Sequence, residues 1–218
     1  MEQASLQQKP NFFKKHPLLK DLLSLLLFVV CVVVGTILLN AFVFRSYNVV
    51  GSSMENTLQN DDRVIVNRLT VSWAHFLGKE YVPKRGQIIV FANGDPSGPL
   101  TCGAPAGRTD QYIIKRVIAF PGERVTVKDG ILTVYNDEHP DGFSPDDDTR
   151  VDENNGPKEY TSGEVDMVVP QGELFVAGDN REGSHSFDSR SGLGTIPYCR
   201  LIGPAVMRVY PLSDFRFL

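Results

Sequence analysis

The 218-residue chain has only three cysteines and no excess of positive charge. Three cysteines are too few for a small secreted scaffold that disulfides hold together. Lysine and arginine total 22 against 26 aspartates and glutamates, and this acidic balance argues against a protein that binds nucleic acid. The 19 glycines and 14 prolines are too few for a collagen-like or low-complexity chain. These absences leave one ordinary globular domain, with or without an appendage.

Charge is missing altogether from residues 22–44, which read LLSLLLFVVCVVVGTILLNAFVF. As a helix this run would be about 34 Å long, enough to cross a hydrocarbon core of about 30 Å. A cleaved secretory signal is the main alternative. However, the run exceeds the usual hydrophobic stretch of about 7–15 residues, and no small-residue cleavage site follows it. We therefore predict a single transmembrane anchor at residues 22–44.

The flanking charges predict the orientation of this anchor. Only Arg45 follows it closely, whereas four lysines precede it, namely Lys9, Lys14, Lys15 and Lys20. Because positive charge is retained on the cytoplasmic side, residues 1–21 should form a cytoplasmic tail and residues 45–218 an extracytoplasmic domain. The sequence thus predicts a single-pass protein of the cell membrane.

Within the outer part, residues 136–166 stand apart by composition. They hold eleven acidic and two basic residues and few large apolar ones. Such a segment cannot build a core and should form an exposed, mobile insertion. The run Asp146-Asp147-Asp148 could bind calcium, but the ligand spacing of a calcium loop is absent and a solvated acidic loop is favoured. The four histidines also lack the spacing of metal ligands, so no metal site or cofactor is expected.

The rest of the outer part predicts a mainly β domain. Short segments rich in β-branched residues are bounded by Gly, Pro, Asn and Asp, and they cover residues 63–67, 88–91, 112–120, 124–127, 131–134, 174–177 and 205–210. Asp129-Gly130 between two of them indicates a tight hairpin. In the aromatic stretch at residues 71–77, Trp73 would suit a membrane interface or an ordinary core or loop position.

Two short motifs carry candidate chemistry. Ser53 follows the anchor in a glycine-serine turn, where a serine is normally just a turn residue. Lys115 lies in the middle of a predicted strand, on the same side as Ile113 and Val117, which is often the buried side. A buried lysine loses its proton easily, and a neutral amine beside a hydroxyl can act as a general base. Spacing alone does not distinguish such a pair from a turn serine and a surface lysine.

Four motifs, in order, resemble those of bacterial type I signal peptidases, the membrane-anchored Ser–Lys proteases. Behind the anchor come Ser53-Met54 with Thr57-Leu58, Asp62-Arg63-Val64-Ile65-Val66-Asn67-Arg68, Lys115-Arg116-Val117-Ile118-Ala119-Phe120-Pro121-Gly122-Glu123, and Gly178-Asp179-Asn180-Arg181 followed by Ser186-Phe187-Asp188-Ser189-Arg190. The resemblance covers nearly the whole chain. It implies a signal-peptidase-like β catalytic domain behind a single N-terminal transmembrane helix.

The resemblance also implies catalytic roles. Ser53 would be the nucleophile and Lys115 the general base, and the backbone N–H of Ser53 would help to hold the oxyanion. The family can supply a second donor two residues before the nucleophile, but that position is Gly51 here, which has no hydroxyl. The serine that orients the lysine is Ser186 when counted back from the last motif, or Ser184 when counted forward from residue 181.

Other residues would support this site by the same resemblance. Hydrogen bonds and ion pairs from a scaffold would hold it, and the scaffold residues are Asp179, Asn180, Arg181, Asp188 and Arg190. The pockets for small substrate side chains would be lined by Met54, Ile113, Ile114 and Val117. The sequence departs from the family pattern at Asn56, where proline is usual, and at Gln87, where aspartate is usual. Because asparagine suits a turn, we expect only a modest loosening at position 56.

The function that the resemblance implies is a serine endopeptidase that cleaves N-terminal signal peptides from secreted and membrane-translocated precursors. Its partners would be signal-peptide-bearing precursor proteins, the lipid bilayer and the nearby secretion translocon, and no nucleic acid. The alternative is a non-catalytic or dedicated peptidase-like partner in surface-protein assembly. A Ser–His site with His185 is not favoured, since Lys115 already fills the role of base. Cys31 would pack in the anchor, whereas Cys102 and Cys199 would lie outside it, either paired or as free thiols.

Overall fold

The computed structural model describes residues 17–39, 43–93, 112–146 and 160–218. The chain divides into two compact units, Met1–Ala41 and Phe42–Leu218. The first contains helix α1 (Pro17–Leu38), and the second contains helix α2 (Leu69–Phe76) and the strands. In chain order these strands are β1 (Phe44–Asn48), β2 (Arg63–Asn67), β3 (Ile88–Ala92), β4 (Tyr112–Ala119), β5 (Arg124–Lys128), β6 (Ile131–Tyr135), β7 (Val165–Val168), β8 (Glu173–Ala177), β9 (Ile196–Pro197), β10 (Leu201–Tyr210) and β11 (Arg216–Phe217). The prediction of a mainly β domain is confirmed.

Helix α1 is long and apolar enough to cross a membrane over Leu18–Ile37, and its mean hydropathy there is 2.5. Its bounds differ from the predicted run, since the helix begins at Pro17 and Phe44 belongs to β1. The early start includes Lys20 and Asp21, because charged side chains do not interrupt helical backbone hydrogen bonds. The lack of charged residues therefore predicted where the apolar stretch lies, but it did not predict where the helix begins and ends. That the helix spans a bilayer stays a prediction.

Two antiparallel sheets build the second unit. The larger has eight strands in the order β1-β2-β10-β3-β4-β8-β9, with β11 also paired to β10, and the smaller has the order β6-β5-β7. The predicted hairpin joins β5 to β6, where Asp129 and Gly130 have φ of 53° and 79°. Both residues occupy the left-handed region, as a two-residue hairpin of this type requires.

All seven predicted strand segments are strands, but four further strands escaped the sequence patterns. β1 reads FRSYN and is mostly polar, β7 begins at the end of the segment predicted as an insertion, and β9 and β11 have only two residues each. The pairing of β1, β7 and β9 is supplied by neighbours that are distant in sequence, which a local pattern does not contain. β11 pairs with the adjacent β10 but is too short to show a pattern. The stretch predicted at residues 71–77 is mostly helix α2, in which Trp73 is 59% exposed and therefore not a core residue.

The structure describes the acidic segment of residues 136–166 at its two ends, 136–146 and 160–166. Phe143 bridges to Val134 of β6, Pro145 and Thr161 are buried, and Val165 begins β7. Residues 147–159, with Asp147 and Asp148, lie outside the described residues. Near the two ends of the segment, the apolar side chains of Phe143 and Val165 pack against the core of the small sheet. That the segment as a whole is an exposed, mobile insertion stays a prediction.

The cysteines fall into two groups. Cys31 in α1 is free and exposed, whereas Cys199 is disulfide-bonded. Cys102 lies outside the described residues. The sequence left Cys199 either paired or free, and the structure shows it paired.

Candidate active site

Ser53 lies in a tight turn between β1 and β2. The backbone N–H of Leu58 donates to the Met54 carbonyl at 2.7 Å, and the side chains of Met54 and Leu58 are fully buried. Gly51 enters the turn with φ of 94°, and its N–H donates to Asn60 Oδ1 at 2.9 Å. Such a φ favours glycine. The two buried side chains fix the turn in the core while Ser53 remains at its surface.

Lys115 meets this serine from the middle of β4. Its Nζ donates to Ser53 Oγ at 2.6 Å and to the Ile114 carbonyl at 3.0 Å, and the residue is only 3% exposed. Burial lowers the pKa of the Lys115 amine from 10.5 to about 8, although the carboxylates of Asp188 and Asp179 raise it in part. The prediction that Lys115 lies on a buried face is confirmed. The Lys115 ammonium therefore loses its proton more easily than a solvated lysine does. In its neutral form the amine can accept the proton of the hydroxyl beside it.

A loop of residues 178–181, hereafter the 178–181 loop, supports the serine from behind. The backbone N–H of Asn180 donates to the Ser53 carbonyl at 3.1 Å, and its side-chain Nδ2 donates to the Ser52 carbonyl at 3.2 Å. A Cβ at Gly178 would overlap the Ser53 carbonyl oxygen and the Ser186 hydroxyl. Glycine at this position allows the loop to approach the nucleophile turn closely.

The two candidate orienting serines differ in burial. Ser186 is buried, and its hydroxyl donates to Asp188 Oδ2 at 2.6 Å, whereas Ser184 is exposed. Asp188 also accepts two hydrogen bonds from the Arg190 guanidinium, at 3.1 and 2.8 Å. Burial alone would raise the pKa of Asp188, but the Arg190 hydrogen bonds and charge hold it below its usual range. Of the two serines, Ser186 is the one beside the charged groups that surround Lys115.

Two buried arginines complete the scaffold. Arg116 donates to both oxygens of Asp179, at 2.7 and 2.6 Å, and these contacts hold the pKa of Asp179 below its usual range despite its burial. Arg181, with no exposed surface, donates to both oxygens of Asp146, at 3.0 and 2.8 Å. Sequence reasoning missed Arg116 and Asp146 as site residues. A second charged residue directly after Lys115 in an apolar strand could have indicated that Arg116 has a buried partner. The acidic run around Asp146 gave no sign that one of its carboxylates is paired with an arginine.

An open cleft of about 550 Å³ lies in front of the Ser53–Lys115 pair. The end of β1 and the start of β4 form its walls, and its lining residues are Tyr47, Asn48, Val49, Val50, Gly51, Ser52, Ser53, Val64, Val90, Tyr112, Ile113, Ile114, Lys115, His185 and Phe187. Of the four residues expected to line substrate pockets, Ile113 and Ile114 line this cleft. Met54 and Val117 do not line it, and both are fully buried in the core. Alternation places a side chain on a face of the sheet but does not tell a cleft from a core.

The groups available to bind a substrate carbonyl are few. The backbone N–H of Ser53 has no hydrogen-bond acceptor among the described residues, whereas that of Gly51 is occupied by Asn60. Within the described ranges, no group of three or more His, Cys, Asp and Glu side chains could hold a metal ion. The arrangement is that of a hydroxyl, an amine of lowered pKa and one open amide at the edge of an apolar cleft, which suits acyl transfer.

Several known proteins that resemble this chain are signal peptidases. The family model described as signal peptidase, peptidase S26, matches residues 19–210. Signal peptidase I T of Bacillus subtilis (strain 168) is 31% identical over 188 residues, which cover 86% of this chain and 85% of the relative. Signal peptidase I of Bacillus licheniformis is 30% identical over 188 residues, covering 86% and 88%. A crystal structure of a signal peptidase I from Enterococcus faecalis V583 is 28% identical, covers 56% of this chain and 96% of its own, and has a TM-score of 0.36.

Proposed function

This chain belongs to the signal peptidase family, peptidase S26, and from that membership we propose that it cleaves N-terminal signal peptides from translocated precursors with a Ser53–Lys115 dyad. The observation that carries the proposal is the 2.6 Å contact between Lys115 Nζ and Ser53 Oγ. A general base must lie within hydrogen-bond distance of the proton that it removes. The low exposure of the amine makes its neutral form accessible near neutral pH.

The reaction begins with the neutral amine of Lys115 accepting the Ser53 hydroxyl proton. Ser53 Oγ attacks the scissile carbonyl carbon, and the resulting tetrahedral oxyanion accepts a hydrogen bond from the Ser53 backbone N–H. Lys115 then donates its proton to the leaving amine, and an acyl-enzyme remains on Ser53. In the second half, Lys115 takes a proton from a water molecule, and the water oxygen attacks the acyl carbon. Lys115 then donates that proton to Ser53 Oγ as the bond between Oγ and the acyl carbon breaks. The signal peptide leaves with a free carboxyl group, and the Ser53 hydroxyl and neutral amine are restored.

The substrate would bind as an extended strand along β4. Strand β8 pairs with β4 only at Arg116, Val117 and Ala119, so in the described part of the chain no strand covers that edge from Tyr112 to Lys115. An extended peptide can add to such an edge through main-chain hydrogen bonds, with alternate side chains facing the cleft. The apolar side chains of Ile113 and Ile114 would then contact the small residues before the cut.

The predicted topology belongs to the same proposal. With residues 1–21 in the cytoplasm and helix α1 across the bilayer, the second unit would face the compartment into which the translocon delivers precursors. Limited proteolysis of intact spheroplasts tests this orientation. Protease added outside should digest the second unit and leave an N-terminal tag intact, and digestion of the tag instead would overturn the orientation.

The dyad is tested with the full-length chain in detergent micelles and a purified precursor. Ser53→Ala and Lys115→Ala should each lower kcat by about 10⁴-fold. Ser213→Ala and Lys128→Ala alter an exposed serine and an exposed lysine and serve as matched controls. Cleavage that persists in Ser53→Ala would refute the dyad. Absence of product from the unaltered chain would favour the non-catalytic assembly partner.

A further inference from the structure

The guanidinium of Arg181 is buried and contacts the 178–181 loop, which in turn contacts the nucleophile turn. It is the largest side chain with no exposed surface among the described residues. Its Nε donates to the Gly178 carbonyl at 2.6 Å, within the 178–181 loop. Its two terminal nitrogens donate to the two oxygens of Asp146, so that a single carboxylate receives both ends of the guanidinium fork.

A buried cation requires such a partner. A charge removed from water without one is strongly destabilised, whereas a bidentate carboxylate provides both an opposite charge and fixed geometry. Asp146 is well placed for this, since its side chain is only 14% exposed and the preceding Pro145 is buried. Asp146 comes from the acidic segment between β6 and β7, which sequence patterns assigned to a solvated loop.

The 178–181 loop transmits the position of Arg181 to Ser53. Asn180 donates to the Ser53 carbonyl, and Gly178 has no room even for a Cβ against that carbonyl. A loop packed this closely cannot shift without moving the serine. Displacement of a nucleophile by about 1 Å is enough to lower a rate by about 10²-fold.

From these contacts we propose that Asp146 is a positioning residue of the active site, which holds Arg181 and, through the 178–181 loop, sets Ser53 against Lys115. This proposal rests on the Ser53–Lys115 dyad proposed above. It gives one residue of the acidic segment, Asp146, a part in aligning the nucleophile. The substrate cleft itself is not touched by Asp146, so its effect should fall on turnover rather than on binding.

The first test compares Asp146→Asn with Asp141→Asn in the full-length chain. Asp141 lies in the same segment, is exposed and removes the same charge when changed. With a precursor peptide as substrate, Asp146→Asn should lower kcat by about 10²-fold with KM unchanged, and Asp141→Asn should leave both constants at the wild-type values. An Asp146→Asn enzyme with unaltered kcat would overturn the proposal, as would equal losses in the two variants.

A second variant separates positioning from stability. Asp146→Leu combined with Arg181→Met removes both charges together, which restores stability relative to breaking the pair. Its melting temperature should exceed that of Asp146→Asn, whereas kcat should remain low because the loop has lost its arginine. Recovery of kcat together with the melting temperature would show a purely structural role and would overturn the proposal. If instead Ser53→Ala still cleaves the peptide, the dyad itself fails, and the two failures are thereby distinguished.

Discussion

Lys115 Nζ and Ser53 Oγ lie 2.6 Å apart although 62 residues separate them in the chain. Ser53 is held by a turn whose apolar side chains enter the core, and Lys115 is held by a central strand of the large sheet. Both groups are thus fixed by packing and not by flexible loops of their own. A pair that is positioned in this way loses little conformational entropy when it reacts.

The lowered pKa of Lys115 predicts the pH dependence of cleavage. The neutral amine is the active base, so kcat/KM should rise with pH through a midpoint of about 8, set chiefly by burial of the amine. Well below that midpoint, each pH unit should cost about tenfold in rate. Initial rates on a precursor peptide from about pH 6 to about pH 10 provide the measurement. A midpoint at 10.5, the ordinary lysine value, would contradict the role of burial.

Ser186 and Ser184 are expected to behave differently when changed to alanine. Ser186→Ala removes a buried hydroxyl from Asp188, one of the carboxylates that attract Lys115, and should lower kcat by about 10- to 100-fold. Ser184→Ala alters an exposed side chain and should leave kcat within about twofold of the wild type. Steady-state kinetics of the two variants decides between them. The reverse order of effects would assign the orienting role to Ser184.

Asn56 should not tolerate the proline that is usual at its position in the family. Its φ of 78° is in the left-handed region, which the proline ring cannot reach. Asn56→Pro should therefore destabilise the fold by about 1–3 kcal/mol, whereas Asn56→Gly, which accepts this φ, should remain closer to the wild type. Urea unfolding of both variants gives the comparison. A proline variant as stable as the glycine variant would show that the turn adopts another conformation.

Arg116 and Arg124 form a matched pair for testing the buried scaffold. Arg116→Met leaves Asp179 as an uncompensated charge in the interior and should cost about 3–5 kcal/mol of unfolding free energy. Arg124→Met breaks an equally short ion pair with Asp166, but its side chains are 52% and 61% exposed, so the melting temperature should not change measurably. Calorimetry of both variants is the measurement, and equal shifts would contradict this account.

Much of this molecule could be predicted from sequence because its signals are local. The strands around Val64, Ile89 and Val125 are β-branched runs closed by turn residues, and Ser53 and Lys115 stand in motifs that can be recognised. The contact of Asp146 with Arg181 could not be predicted, since 35 residues separate them and local composition describes the acidic segment as solvated. The resemblance assigns Met54 to the substrate pocket, whereas the structure buries it in the core, because a motif match does not give the depth of packing around a side chain.

In the part of the chain that the structure describes, the edge of β4 that no strand covers ends where β8 begins to pair, beside Lys115. A peptide that lies along this edge can change its alignment only in steps of two residues, because a shift by one turns every side chain to the opposite face. The nearest alternative alignments therefore place a bond two residues before or after the normal one at Ser53. Strand pairing alone would thus exclude cleavage at the two bonds next to the reactive one. The substrate pockets would then have to discriminate only against bonds two residues away.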